Sequence, residues 1–321
     1  MDITVIGCGR WGSLITWYLD HIGHRVTLYG RATSPRMQSF LATRQNDLLT
    51  LPPSVALSTD LPAALDGAET VIISIGSQGL RKLLTQPELQ TLRDRTVVLC
   101  MKGLEMGTGA RLSQIAAECL HPSNTVAVWL GPGHVQEFYR GIPNCMVIDS
   151  ENDDAKRRLV HAFSSGLIRF YYGGDMIGNE VGAAAKNVVG IAAGFLDGFE
   201  MSSLKGALMS RGTREVARLI KAMGGSELSA YGLCHLGDYE ATVFSPYSHN
   251  RQFGEAFVRG QDYHQLAEGY YTVKALMLLG QRCGVELPIC RAVHDILYEQ
   301  AVPRDVLDGL LRRGLTEEFY D

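Results

Sequence analysis

The chain has 321 residues, enough for two domains that each bury a core of their own. With 46% hydrophobic residues, 20% charged residues and a net charge of −4, it is an ordinary globular sequence that offers no basic surface for nucleic acid. Seven dispersed cysteines without a metal-ligand spacing predict reduced thiols, a cytoplasmic location and no metal site. Because no apolar stretch reaches about 18 residues and no basic leader precedes the first strand, we expect neither a membrane span nor a signal peptide.

The first predicted strand, residues 2–6, leads directly into a G-x-G-x-x-G turn, Gly7-Cys8-Gly9-Arg10-Trp11-Gly12. A helical pattern and a second strand at residues 24–29 follow, which completes a βαβ unit. In such a unit the first glycine permits the tight turn, the second lets the backbone approach a pyrophosphate, and the third lets the helix pack on the strand. The N-terminal end of the helix then faces the phosphates. The motif in this context predicts a bound dinucleotide.

Further apolar runs at residues 71–75, 96–100, 125–130, 144–148 and 168–172 predict the rest of a parallel, doubly wound Rossmann-type sheet. From residue 179 onward the apolar residues recur at helical spacing. We therefore predict an α/β dinucleotide-binding domain at residues 1–175 and an all-helical substrate and catalytic domain at residues 176–321.

The end of the second strand bears on cofactor choice. A site specific for NAD commonly places an acidic residue there to bind the ribose hydroxyls. This chain has Arg31 and no Asp or Glu at that end. Because a guanidinium can pair with a 2′-phosphate, we predict NADP as the preferred cofactor and NAD as the second; a solvated surface arginine is the alternative.

Two loops directly follow buried strands, at the sheet edge where open α/β folds bind ligands. Lys102 follows one strand and could bind an anionic substrate or polarise a carbonyl group, or simply be solvated. Gly131 begins Gly-Pro-Gly-His after the next strand. Its glycines suit close approach to a nicotinamide, and an ordinary turn is the alternative.

Lys186 is surrounded by small and apolar residues in the predicted helix at residues 180–190. Desolvation lowers the pKa of a lysine, which suits proton transfer near neutrality. Lys186 is therefore our predicted general acid/base. A lysine that extends its ammonium group from a helix edge into water is the alternative.

A second polar cluster lies further along the chain. Asp238 and Thr242 are four residues apart and would share one face of a helix. The loop that follows offers hydrogen-bond donors suited to an oxyanion, or is merely solvated: Ser248, His249, Asn250 and Arg251. A hydrolase built on Ser248, His249 and Asp238 is disfavoured, because no G-x-S-x-G sequence is present and the dinucleotide turn would be unexplained.

Taken in order, these segments resemble the NAD(P)-dependent sn-glycerol-3-phosphate dehydrogenase family, which reduces dihydroxyacetone phosphate, and the resemblance extends to residues 284–289. It implies a homodimer and a catalytic group of Lys186, Lys102, Asp238 and Thr242. It implies that the substrate is held by Lys102, Asp238, Thr242, Ser248 and Asn250. The implied cofactor contacts, beyond the three glycines of the turn, are Arg10, Trp11, Arg31, Ser77, Lys102, Gly131, Val135, Leu266 and Glu268.

Three positions depart from the family's usual sequence. His249 stands between Ser248 and Asn250 where the family has Arg, His134 replaces a bulky apolar residue beside the nicotinamide, and Gly76 replaces a Pro before Ser77. Arg251 is then a candidate substitute for the missing arginine as a phosphate anchor. We predict interconversion of dihydroxyacetone phosphate and sn-glycerol 3-phosphate by hydride transfer. A related NADP-dependent reductase of another small ketone, phosphorylated or not, and a dinucleotide sensor without turnover are the alternatives.

Overall fold

The computed structural model describes residues 1–314 and 317–318, so residues 315, 316 and 319–321 of the predicted helical domain lie outside the described residues. The strands are β1 Asp2–Ile6, β2 Arg25–Tyr29, β3 Ala56–Ser58, β4 Thr70–Ile73, β5 Thr96–Leu99, β6 Thr125–Leu130, β7 Asn144–Ser150 and β8 Ile168–Tyr172. The helices that alternate with them are α1 Arg10–His21, α2 Pro35–Thr43, α3 Leu61–Leu65, α4 Leu80–Leu84, α5 Pro87–Gln90, α6 Leu112–Cys119, α7 Val135–Tyr139 and α8 Asp153–Phe163. The later helices are α9 Met176–Gly198, α10 Lys205–Ala222, α11 His249–Val258, α12 Glu268–Cys283, α13 Pro288–Tyr298 and α14 Pro303–Leu311.

The chain forms two compact units. The first, which we call the sheet unit, comprises residues 1–101 and 112–176. The second, the helical unit, comprises residues 102–111 and the chain from residue 177 onward. The predicted fold class, a Rossmann-type sheet followed by a helical part, is confirmed. The grouping of residues 102–111 with the helical unit is not visible in the sequence pattern.

The sheet has the strand order β3-β2-β1-β4-β5-β6-β7-β8. Strands β1 to β6 run parallel to one another, and β8 is parallel to β7. Strand β7 is antiparallel to β6, so the prediction of an all-parallel sheet was wrong at this position. An apolar run does not encode the direction of its strand. Residues 131–143 between β6 and β7 contain only the five-residue helix α7 and return the chain in the opposite direction, without a full crossover helix. The three-residue strand β3 was also not predicted.

The strand order reverses between β1 and β4, and the glycine turn lies at this point. The Gly7 amide donates to the Tyr29 carbonyl oxygen at 3.0 Å, and the Ser74 amide donates to the Ile6 carbonyl oxygen at 2.9 Å. The loops after β1, β2 and β4 are therefore fixed side by side. In open α/β sheets this is where a ligand binds.

In the helical unit, α9 is the central element, buried along most of its length. A Cβ atom on Gly194 would overlap the Arg251 carbonyl oxygen, and one on Gly254 would overlap the Ile191 carbonyl oxygen. Helices α9 and α11 thus touch through their backbones, because both carry glycine at the crossing. Within the described residues, no helix is sufficiently long and apolar to cross a membrane.

Candidate active site

The glycine turn has the geometry that a dinucleotide needs. Gly7 has a φ of +116°, and a Cβ atom there would overlap the Ser74 carbonyl oxygen. A Cβ atom on Gly12 would overlap the Gly7 carbonyl oxygen, so both positions exclude side chains. At Gly9 no atom lies within 4 Å of the Cβ position, and α1 begins at the next residue. The open space at Gly9, before the N-terminus of a 12-residue helix, fits a pyrophosphate.

The other predicted cofactor residues of the sheet unit lie mainly at the carboxyl ends of its strands. Arg31 is exposed two residues after β2, and Ser77 is buried in a 3₁₀ turn after β4. Gly131 directly follows β6 with a φ of +126°, and Val135 begins α7. Trp11, on α1, packs its ring 6.0 Å from that of Phe138. Arg31 and Gly131 therefore lie just beyond the carboxyl ends of β2 and β6.

A cluster of charged and polar side chains is buried in the helical unit. The Lys186 Nζ lies 2.8 Å from Asp238 Oδ2 and donates to Thr242 Oγ1 at 2.7 Å. The Lys102 Nζ lies 2.6 Å from the same Asp238 oxygen. Thr242 Oγ1 in turn donates to the Asp238 carbonyl oxygen at 2.7 Å. The structure thus brings together all four residues of the predicted catalytic group.

The environment of Lys186 favours loss of its proton. Burial is the main cause that lowers its pKa, which is about 8. The Asp238 carboxylate acts in the opposite direction, and the nearby Lys102 ammonium group adds to the effect of burial. Its side chain is 9% exposed, so the ammonium group does not extend into water as the alternative interpretation required. A lysine that titrates near neutral pH can donate and accept a proton.

One oxygen of this cluster lacks a partner. Asp238 is 1% exposed, and its Oδ1 atom accepts no hydrogen bond, whereas Oδ2 faces both lysines. A buried carboxylate oxygen without a donor is costly. The cluster is therefore suited to a ligand that brings a hydroxyl or a water molecule to Oδ1.

Two asparagines connect the elements of the cluster. Asn187 Nδ2 donates to the Lys102 carbonyl oxygen at 2.9 Å, and Asn187 Oδ1 accepts from Asn250 Nδ2 at 3.1 Å. Asn250 Oδ1 accepts from the Gly269 amide at 2.9 Å. Through these two hydrogen bonds, Asn250 of α11 connects α9 to α12. Asn187 was not among the predicted site residues, although its position directly after Lys186 was a signal.

The prediction of a polar loop at residues 248–251 was wrong, because Ser248 is the N-cap of α11 and His249, Asn250 and Arg251 form its first turn. Ser248 caps α11 by accepting from the Arg251 amide at 3.3 Å, and His249 Nδ1 lies 2.6 Å from the Tyr263 hydroxyl. The Arg251 guanidinium pairs with Asp197 at 2.7 Å and with Glu255 at 3.1 Å. Arg251 is thus held in a separate ion-pair network.

The two predicted cofactor residues Leu266 and Glu268 lie at the N-terminal end of α12. Leu266 is 55% exposed. Glu268 begins α12, and its carbonyl oxygen accepts from the Thr272 hydroxyl at 2.9 Å.

Four buried residues near the cluster escaped the sequence analysis. His235 Nδ1 lies 2.8 Å from the Gly182 carbonyl oxygen, and His235 Nε2 lies 2.8 Å from the Tyr239 hydroxyl. Arg111 and Glu180 form an ion pair at 2.6 Å. Glu180 begins the segment in which Lys186 was recognised, and the position of Tyr239 next to Asp238 was a second available signal.

In the part of the chain that the structure describes, no group of three or more His, Cys, Asp or Glu residues could hold a metal ion, and all seven cysteines are free thiols.

A dinucleotide turn at the reversal point of a doubly wound sheet, together with a buried lysine of lowered pKa, defines an NAD(P)-dependent oxidoreductase. Models of the N-terminal and C-terminal parts of NAD-dependent glycerol-3-phosphate dehydrogenase match residues 2–156 and 175–308. The chain belongs to this family, and the resemblance noted from its sequence is confirmed.

Individual relatives agree with the family models. The chain is 33% identical to a glycerol-3-phosphate dehydrogenase of Prosthecochloris aestuarii that is named for NAD(P)+, over 99% of this chain and 100% of the relative. A crystal structure of glycerol-3-phosphate dehydrogenase from Coxiella burnetii superposes with a TM-score of 0.89 at 28% identity, covering 97% of this chain and 99% of that one. A yeast glycerol-3-phosphate dehydrogenase shares the fold, with a TM-score of 0.80 at 19% identity.

Proposed function

We propose that this protein interconverts dihydroxyacetone phosphate and sn-glycerol 3-phosphate with NADP(H) or NAD(H). The observation that carries the proposal is the buried Lys186, paired with Asp238 at 2.8 Å and with a pKa lowered to about 8. Membership in the family indicates which substrate the protein uses, and the cluster contains Lys186, which can donate and accept a proton. A dinucleotide-binding domain at residues 1–175 and a catalytic domain at residues 176–321 are part of the proposal. We assign residues 102–111 to the catalytic domain rather than to the dinucleotide-binding domain, because this segment carries Lys102 and groups with the helical unit.

Reduction of a ketone adds a hydride to the carbonyl carbon and a proton to the carbonyl oxygen. The dinucleotide, held by the glycine turn with Arg10, Trp11, Arg31 and Ser77, supplies the hydride when it is bound. The Lys186 ammonium group donates the proton to the developing alkoxide. In the reverse direction, neutral Lys186 accepts the proton from the alcohol. Asp238 and Thr242 orient the Lys186 Nζ through the contacts at 2.8 and 2.7 Å.

The unpartnered Asp238 Oδ1 supports a substrate that carries a hydroxyl group next to its carbonyl carbon. Dihydroxyacetone phosphate has such a hydroxyl, and its donation to Oδ1 would remove the cost of the buried acceptor. Lys102 is the second cation at this place and suits the negative charge of the substrate. The first turn of α11, with Ser248, His249 and Asn250, is our proposed phosphate-binding element.

Preference for NADP rests on the exposed Arg31 after β2, where no acidic residue stands. We propose Gly131, Val135, Leu266 and Glu268 as further cofactor contacts, on the resemblance to the family. A cytoplasmic location fits the reduced, dispersed cysteines. The homodimer expected from the family is tested by light scattering of the purified protein.

A second candidate is a related reductase of another small ketone. It is favoured by His249, which replaces a phosphate-binding arginine, and by Arg251, whose pairing with Asp197 and Glu255 holds it in another network. A dinucleotide sensor without turnover is disfavoured, because cofactor binding alone does not require a buried lysine pair around Asp238.

A panel assay separates these candidates. NADPH and NADH oxidation is measured with dihydroxyacetone phosphate, hydroxyacetone phosphate and unphosphorylated dihydroxyacetone. Hydroxyacetone phosphate lacks the free hydroxyl that we expect to donate to Asp238 Oδ1. We expect the highest kcat/KM for dihydroxyacetone phosphate. A higher value for another ketone would establish the related reductase, and cofactor binding without turnover of any ketone would establish the sensor.

A further inference from the structure

His235 is fully buried between α9 and the segment that carries Asp238 and Thr242. Its Nδ1 atom lies 2.8 Å from the Gly182 carbonyl oxygen, and a carbonyl oxygen only accepts hydrogen bonds, so Nδ1 carries the proton. The Nε2 atom is then an acceptor. The Tyr239 hydroxyl, 2.8 Å away, donates to it. Burial lowers the pKa of His235 to about 4, so the ring is neutral near pH 7 and keeps this tautomer.

One end of this hydrogen-bonded chain is attached to the backbone of Lys186. Gly182 lies one helical turn before Lys186, and the Gly182 carbonyl is the acceptor for the Lys186 amide in a regular α-helix. A Cβ atom at Gly182 would stand 3.0 Å from the His235 Cβ, so a side chain there would crowd the histidine. His235 therefore contacts α9 at the turn that sets the direction of Lys186.

The other end is attached to the backbone of Asp238. Tyr239 directly follows Asp238, is fully buried and packs against Val189, Ala193 and Val243. Its hydroxyl lies 3.3 Å from the Cβ position of Gly212 on α10, so the ring fits against a helix that carries no side chain there. The pairing of Tyr239 with His235 thus joins the backbone at Asp238 to α9.

The segment around Asp238 needs such an attachment. It consists of a 3₁₀ turn, Leu236–Asp238, and a single π-helical turn, Glu240–Phe244. Neither turn is long enough for its own backbone hydrogen bonds to hold it in place against α9. Single π-helical turns often occur at functional sites. The catalytic contacts are sensitive to this position, because a displacement of about 1 Å in an active site can cost about 10²-fold in rate.

We propose that His235 and Tyr239 are positioning residues, a buried neutral pair that fixes the distance between the Lys186 ammonium group and the Asp238 carboxylate. The proposal rests on the proposed role of Lys186 as acid/base. The hydrogen bonds of the pair run to the Gly182 carbonyl oxygen and between the two rings, so the pair acts mainly through the backbone at Gly182 and Asp238, although the charges of Lys186 and Asp238 also act on the His235 ring. Through this distance it sets how strongly Asp238 holds the proton on Lys186.

The test uses Tyr239→Phe, which removes one hydroxyl and keeps the buried ring, with His235→Asn as the second variant. Asparagine can still donate to the Gly182 carbonyl oxygen, but its shorter side chain does not place its acceptor oxygen at the position of His235 Nε2, so the bond to Tyr239 is lost. Tyr231→Phe is the matched control, because Tyr231 is 45% exposed. Steady-state kcat and KM are measured in both directions against pH, together with thermal unfolding.

We expect Tyr239→Phe and His235→Asn to lower kcat about 10- to 100-fold with an unchanged KM for NADPH. Because Asp238 raises the pKa of Lys186, a looser pair should move the pH midpoint of kcat downward by about one unit. Tyr231→Phe should match the parent. If Tyr239→Phe lowers only the unfolding temperature and leaves kcat and the midpoint unchanged, the pair is packing alone and the proposal is overturned. Should His235→Asn not fold, Tyr239→Phe decides by itself.

A second readout does not depend on turnover. The pH dependence of Lys186 acetylation by acetic anhydride is measured by mass spectrometry, with the exposed Lys221 as the internal reference. A lower midpoint at Lys186 in Tyr239→Phe supports the positioning role even if dihydroxyacetone phosphate is not the substrate. The same midpoint in the parent and in Tyr239→Phe overturns it, even if the parent is an active dehydrogenase.

Discussion

Arg111 and Glu180 form a buried ion pair, with 2.6 Å between Nη1 and Oε2 and side chains only 11% and 5% exposed. Arg111 ends the segment 102–111 that carries Lys102, and Glu180 lies on α9, six residues before Lys186. The pair thus fixes the segment that carries Lys102 to the helix that carries Lys186.

Removal of one partner should destabilise the protein strongly. Because Glu180→Ala leaves the Arg111 guanidinium buried without its carboxylate, we expect a loss of about 3–5 kcal/mol in the free energy of unfolding. Denaturant titration measures it. Glu118→Ala, which removes an exposed partner of Arg81, is the control and should change the free energy by less than about 0.5 kcal/mol. An equal effect of the two variants would contradict the structural role of the buried pair.

Lys186→Ala should abolish turnover and leave the affinity for NADPH nearly unchanged. The expected loss in kcat is about 10²–10⁴-fold, the usual contribution of an acid/base group. Stopped-flow measurement of a single turnover and titration of cofactor fluorescence check the two quantities. Lys221→Ala, at an exposed position, serves as the control. Near-normal kcat in Lys186→Ala would remove this lysine from the mechanism.

The two reaction directions should respond oppositely to pH. Reduction needs the ammonium form of Lys186, whose pKa is about 8, so kcat for reduction should be constant below that pH and fall above it. Oxidation needs neutral Lys186, so its kcat should rise through the same region and level off above it. Initial rates at saturating substrate between pH 6 and 10 measure both profiles. Profiles with the same sign in both directions would be inconsistent with a single acid/base group.

Arg31 should decide the choice of cofactor. We expect the unmodified protein to have a higher kcat/KM with NADPH than with NADH, because the guanidinium can pair with the 2′-phosphate. Arg31→Asp should erase or reverse the preference, since a carboxylate repels that phosphate and accepts from ribose hydroxyls. Arg93→Asp makes the same charge change at another exposed position. Equal kcat/KM values for both cofactors in the parent would show that Arg31 does not contact the phosphate.

His249 should limit the affinity for a phosphorylated substrate. An imidazole lacks the forked pair of donors with which a guanidinium binds a phosphate. His249→Arg should therefore lower the KM for dihydroxyacetone phosphate, which steady-state assays measure. The exposed His264→Arg is the control. No gain from His249→Arg, with poor activity of the parent on this substrate, would favour the related reductase.

Much of the sheet unit follows from local sequence. Apolar runs predicted the positions of β1, β2 and β4 to β8. Gly7 and Gly12 stand where a side chain would clash, and Gly9 stands where the space is open. The three-residue β3 and the antiparallel direction of β7 were missed, because strand direction and the shortest strands depend on neighbours supplied by the rest of the sheet.

Some residues of the candidate site were predicted from the sequence and others were not, for a similar reason. Lys186 was recognisable because its helical neighbours alone predict burial, which is the largest cause of its lowered pKa. His235 was not, since nothing in the neighbouring sequence indicates that its ring bonds to Gly182, 53 residues away. Arg251 was predicted as a phosphate ligand, but only the fold reveals its ion pair with Asp197.

By itself the sequence determined the alternation of strands and helices, the glycine turn and the identity of the acid/base candidate, because each depends on residues close together in the chain. The tertiary structure alone decided which charges meet. Lys102 reaches Asp238 across 136 residues, and Lys186 reaches Thr242 across 56. These contacts arise when α9, the segment 102–111 and the turns around Asp238 bury their apolar faces together, a collective outcome of packing that no single segment encodes.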